Sequence, residues 1–189
     1  MARRLRLWGE RQQDLGAPGQ LIGKLSVEGV SDFPLRRAVQ VGTITVDEDY
    51  RGAGIAKALY GIVLTILKRP LLAGTSQTPG GRRNWVSLAG IPGVQMKGYF
   101  GMDEDDLNPN AERSRFSDTT PAAANKNIDT IMGQLGGQYM GKGRHGDEYF
   151  AFDVQPNTTG TELEAYVKSK LNQVYGKYDT GLYAVWTGN

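Results

Sequence analysis

Between Ala38 and Lys68 the hydrophobic period of the chain changes once, abruptly, from that of a strand to that of a helix. Ala38 to Val46 places β-branched Val39, Val41, Ile44 and Val46 around Thr43 and Thr45, a composition that suits a pleated surface. Gly54 to Lys68 is apolar on nearly every side, so it reads as a helix covered by a sheet on one face and by further protein over much of the rest. Pro70 stops it. Only Asp47-Glu48-Asp49-Tyr50-Arg51-Gly52-Ala53 joins the two, so the main chain must turn sharply. Gly52 and Gly54 permit the backbone angles such a turn needs. The first amides of the helix are unpaired and carry the positive end of its dipole, which makes the bend an anion site. Arg51 adds a side-chain cation suited to phosphate. The segment lacks the Gly-x4-Gly-Lys-Ser/Thr of a Walker loop and the three spaced glycines of a dinucleotide fingerprint.

Other segments supply an α/β layout. Residues 3–8 and 20–28 read as short strands separated by a Gly-Ala-Pro-Gly loop. Leu71 to Thr75 is a short buried strand, and Thr78 caps a helix that has Pro79 at its first position and ends near Ala89, with Gly80 and Gly81 weakening its first turn. Val94 to Tyr99, Glu148 to Val154 and Gly181 to Thr187 are strands, and Thr161 to Tyr175 lines up Leu163, Tyr166, Val167, Leu171, Val174 and Tyr175 on one helical stripe. From Met102 to about Gln138 the pattern dissolves into acidic and polar residues, which predicts a surface insertion with one short helix around Asn127–Leu135. The chain is read as a single domain, 1–189, interrupted by that insertion.

Composition removes several classes of function. The 189 residues include no cysteine and one histidine, His145, which excludes disulfides, thiolate sites, a cysteine nucleophile and a multi-histidine metal centre. A net charge of +2 argues against a dedicated nucleic-acid binder, and no apolar run is long enough to span a membrane. The first eight residues have no apolar core of a secretory signal, so the sequence predicts a soluble, cytoplasmic chain. Arg3, Arg4, Arg6, Arg11, Arg36 and Arg37 read as solvated surface.

The stretch Arg51-Gly52-Ala53-Gly54-Ile55-Ala56, set between its strand and helix, resembles the acetyl-coenzyme A motif of the GNAT N-acetyltransferase superfamily, Arg/Gln-x-x-Gly-x-Gly/Ala. Arg51, Gly54 and Ala56 fill the motif positions, and the likeness covers about Val39 to Leu67. It implies a mixed, mostly antiparallel central sheet flanked by helices. It also implies that acetyl-coenzyme A is a co-substrate and that no metal is needed. The coenzyme diphosphate would lie on the amides of Arg51, Gly52, Ala53, Gly54, Ile55 and Ala56, and the pantetheine arm along Ile44, Thr45 and Val46. Leu71 to Thr75 would be a strand splayed from the motif strand to admit it. The acceptor would be an amine, on a small molecule or a protein, attacking the acetyl group directly.

Other parts of the chain depart from that family. The amino-terminal half is short, with no pair of acceptor-binding helices, and no tyrosine stands in Thr75 to Trp85 where the family carries its acid. Glu28, Asp47, Ser76 and Tyr99 are the candidates for catalytic groups, and Tyr60 is a further phenol. Ser76 and Gln77 could face pantetheine, and Arg82 or Arg83 phosphate, but each reads first as a cap or a solvated residue. Trp85 reads as a core anchor and His145 as a surface residue. The alternative expectation is a catalytically silent GNAT-like binding or structural subunit with protein partners in an assembly. Its glycine-rich style also resembles acetyltransferase-like proteins of tailed phages, which would place it in the host cytoplasm or the virion.

Overall fold

The computed structural model describes residues 3–8, 21–74, 77–102, 128–171 and 178–188. The elements are β1 (Arg3–Trp8), β2 (Leu21–Gly29), β3 (Val39–Val46), α1 (Ile55–Gly61), β4 (Leu71–Leu72), α2 (Pro79–Leu88), β5 (Val94–Met102), α3 (Ile128–Leu135), β6 (Gln138–Lys142), β7 (Glu148–Asp153), α4 (Gly160–Leu171) and β8 (Tyr178–Trp186). The fold is mixed α/β with mostly antiparallel strand pairing: β1/β2, β2/β3, β5/β7 and β6/β7 are antiparallel and β3/β4 is parallel. Contacts divide the chain into two compact units. The first comprises Met1–Val30, Arg37–Gln95 and Ala184–Asn189, and the second Ser31–Arg36 and Met96–Tyr183.

In the first unit the strands run β1-β2-β3-β4. Leu25 and Val27 of β2 are buried beneath α1, whose Leu59 and Tyr60 are buried too. The helix approaches β2 closely at Gly23, where a Cβ would come within 2.7 Å of Ile55 Cγ2. Beyond Gly61 the helix widens into a π-helical stretch, Ile62–Ile66. Three of those five residues are isoleucine or valine, and Thr65 Oγ1 donates to the Gly61 carbonyl at 2.8 Å, so crowding and a competing donor both act there. Lys68 takes a left-handed φ of 48° and Arg69 N–H reaches back to Val63 O at 3.1 Å, ending the helix before Pro70. The expected cover over most of this helix fails at its end, where Ile66 is 70% and Leu67 42% exposed. Trp85 of α2 is buried, with its ring centroid 6.2 Å from that of Tyr60.

In the second unit β7 lies between β5 and β6, and Glu148 to Phe152 are all buried, so the strand is covered on both faces rather than alternating between core and solvent. Phe100, Phe150 and Phe152 form the core with Ile131 and Leu135 of α3 and Leu163, Val167 and Leu171 of α4. Tyr166 stacks on Phe152 at 5.1 Å and donates to Leu135 O at 2.7 Å. The end of the expected insertion is thus a packed helix followed by β6, while residues 103–127 lie outside the described residues.

Candidate functional site

The site is built on the junction of β3 and α1. Asp47 caps a 3-10 turn at Glu48–Tyr50, its Oδ1 accepting from Asp49 N–H at 3.1 Å. Arg51 N–H and Ala53 N–H close onto the carbonyls of Glu48 and Tyr50. The bend then passes through Gly52 at φ 86° and Gly54 at φ 80°, both left-handed, where a Cβ would meet no protein atom but would strain the backbone. Gly54 stands at the N-cap of α1 and has no side chain to cap it. The first intrahelical bond runs from Ala58 N–H to Gly54 O, so the amides of Ile55, Ala56 and Lys57 have no acceptor among the described residues.

The second wall is an open strand edge. β3 pairs with β2 along its length, with an irregularity opposite Ser26/Val27 that leaves Gly42 unmatched. On its other side it pairs with β4 only through Val39 and Gln40. There the strands part, and Gln40 Nε2 donates to Ala73 O at 3.2 Å across the opening wedge. Ile44, Thr45 and Val46 have no strand partner on that side among the described residues.

The third wall is the start of α2. Thr78 Oγ1 accepts from Gly81 N–H at 3.1 Å, and Gly80 and Gly81 bring main chain without side chains to this wall. The three walls enclose a cavity of about 530 Å³. Its lining includes three cationic side chains, Arg51, Lys57 and Arg83, and no carboxylate. Arg51 meets Glu48 at 3.0 Å, but both side chains are largely exposed and such a pair holds weakly. Asn84, also in the lining, is hydrogen-bonded to the Tyr60 hydroxyl; burial pushes that phenol up to about 12, against the opposing effect of this bond. The arrangement suits a polyanion at the bend and an extended chain along β3.

Of the residues singled out from sequence, Ile44, Thr45, Val46, Arg51, Gly52, Gly54, Ile55 and Ala56 line this cavity, and Ala53 does not. Asp47 is engaged in its turn, and Glu28 is exposed at the end of β2 opposite Gln40. Tyr99 belongs to the second unit, where burial, followed by the Asp179 charge, pushes its phenol up to about 12. Ser76 lies outside the described residues. Arg83 lines the cavity whereas Gln77 and Arg82 do not. His145 is exposed. Sequence reasoning missed Lys57, Asn84 and Ser87 as cavity residues, although each lies in a helix that it had placed, Lys57 in the first turn of α1 and Asn84 and Ser87 in the middle and last turns of α2. The signal was spacing: Lys57 is three residues beyond Gly54, and Ser87 follows Arg83 and Asn84 at the i+4 and i+3 positions that share a helix face. Among the described residues no group of three or more metal-ligating side chains converges, and no helix is long and apolar enough to cross a membrane. No family model, no curated protein and no solved structure matches the chain.

Proposed function

We propose that the chain binds acetyl-coenzyme A in the cavity between β3, α1 and α2 and transfers the acetyl group to an amine. The observation that carries this reading is the parting of β3 from β4 beside a bend with unpaired amides and three nearby cations. An acyl carrier of this kind joins a diphosphate to an extended amide-containing arm. The bend amides and Arg51 are suited to the diphosphate, and the free edge at Ile44–Val46 to hydrogen bonds with the arm. In the reaction the amine nitrogen bonds to the acetyl carbon, the carbon–sulfur bond breaks, and the thiolate leaves on the coenzyme. The amine proton passes to solvent. The main contribution of the protein is to hold the thioester in place, with a β3 amide donating to the carbonyl oxygen as it gains charge. In this reading the chain is a GNAT-like enzyme.

A second reading, a catalytically silent binding subunit, is favoured by one feature. Neither a carboxylate nor an imidazole lines the cavity among the described residues. Both readings require the coenzyme to bind. At a hundredfold excess of acetyl-coenzyme A over its dissociation constant, the protein should gain ~2.7 kcal/mol of stability. Gly54→Glu, which places a carboxylate in the anion site, should abolish the gain. An unchanged unfolding midpoint for the parent protein contradicts both readings. Thiol release on adding a panel of amines then separates enzyme from silent binder.

A further inference from the structure

β3 and β4 pair only at Val39 with Leu71 and Gln40 with Leu72, so the wedge beside Ile44–Val46 narrows to an apex at Gln40. The side chain of Gln40 crosses that apex. Its Nε2 donates to Ala73 O at 3.2 Å, the first carbonyl beyond the paired residues of β4. Val39, Leu71, Leu72 and Ala73 around the bridge are all buried, so the packing behind it is closed. A hydrocarbon that pushed the amide aside would take the donor from the Ala73 carbonyl and offer none in return.

The reach of the coenzyme arm measures how near its thioester comes to this apex. From diphosphate to sulfur the arm has roughly thirteen bonds, so extended it spans ~15 Å, about four residues of strand. Laid along β3 from Val46 toward Gln40, it ends beside Gly42, the residue left unmatched by the β2 register. Two strand residues, ~7 Å, then separate the sulfur from Gln40. An acetyl group takes up roughly a third of that distance, whereas an octanoyl chain needs ~10 Å and meets the bridge. We propose that Gln40 sets the length of the acyl group, admitting short-chain thioesters of coenzyme A and rejecting long-chain ones. The proposal rests on the coenzyme reading and adds to it the class of thioester that the site accepts.

The test titrates the full chain separately with free coenzyme A, acetyl-coenzyme A and octanoyl-coenzyme A. Octanoyl-coenzyme A should bind the parent protein about tenfold more weakly than acetyl-coenzyme A, and Gln40→Ala, by clearing the apex, should close that gap. The ratio of the two affinities is the readout, because a general loosening of the sheet changes both alike. Should Gln40→Ala fail to fold, Gln40→Ser, which also shortens the side chain, decides. Equal affinity of the parent for the two thioesters, or a gap that persists in the folded variant, overturns the proposal and leaves the coenzyme reading standing. Absence of binding by all three compounds overturns the coenzyme reading and the proposal with it.

Discussion

Gly54 and Gly61 lie seven positions apart and should respond in opposite directions to the same substitution. Gly54 is held at φ 80°, so Gly54→Ala has room for its methyl group but costs ~1 kcal/mol in backbone strain. Gly61 has helical angles, φ −56° and ψ −42°, and its new methyl group would meet Ile91 Cδ1 at an ordinary 3.7 Å. Gly61→Ala should therefore stabilise the protein by about 0.5–1 kcal/mol. Urea unfolding of the two variants checks the pair, and equal signs would contradict the geometry at the bend. A second feature is chemical. Tyr60, Tyr99 and Tyr183 are each pushed up to about 12, with burial as the largest cause. In the unfolded chain a phenol ionises near its ordinary 10, so these three keep protons that the unfolded state loses. Their contribution to stability is present below pH 10 and should fall as the pH rises from 10 to 12. A tyrosinate absorbance titration of the nine tyrosines should show a late component, and a single step near 10 would contradict it.

The ends of the helices were legible to different degrees. Thr78-Pro79 was readable as a cap followed by a first helical residue, and α2 begins there. The start of α4 was placed at Thr161, although Thr159-x-x-Glu162 carries a reciprocal capping pattern. Thr159 Oγ1 accepts from Glu162 N–H at 3.0 Å, and Glu162 Oε2 accepts from Thr159 N–H at 2.6 Å. Thr159→Ala should cost ~1 kcal/mol in thermal or urea unfolding, whereas a change of a few tenths would mean that packing of Leu163 and Val167 alone holds this end. β6 escaped notice because it lies in a tract containing Gly136, Gly137, Gly141 and Gly143, which erases side-chain alternation. Gly137 is needed there for another reason: a Cβ would collide with the Ala151 carbonyl of β7. The π-helical stretch was equally invisible, since a 3.6-residue period and a slightly wider turn bury nearly the same apolar residues.

Each of the two compact units collects residues that are distant in sequence, and this decides how much of the candidate site could be read in advance. The β3–α1 junction is local, so period, glycines and Arg51 announced it. The wedge between β3 and β4 needed one long-range fact, that pairing stops after Gln40 and Leu72. The contribution of α2 needed another, the packing of its Asn84 beside Tyr60, and no linear spacing reveals that. Within the second unit, Phe33 reaches tyrosines of β5, β7 and β8, a convergence with no trace in local pattern. The anion-binding bend can be tested directly by following the amide resonances of Gly54, Ile55, Ala56 and Lys57 while acetyl-coenzyme A is added. Large, saturable shifts of these amides, accompanied by Ile44 to Val46, are expected. Coenzyme binding that leaves all of them unmoved, or no binding at all, would contradict the site.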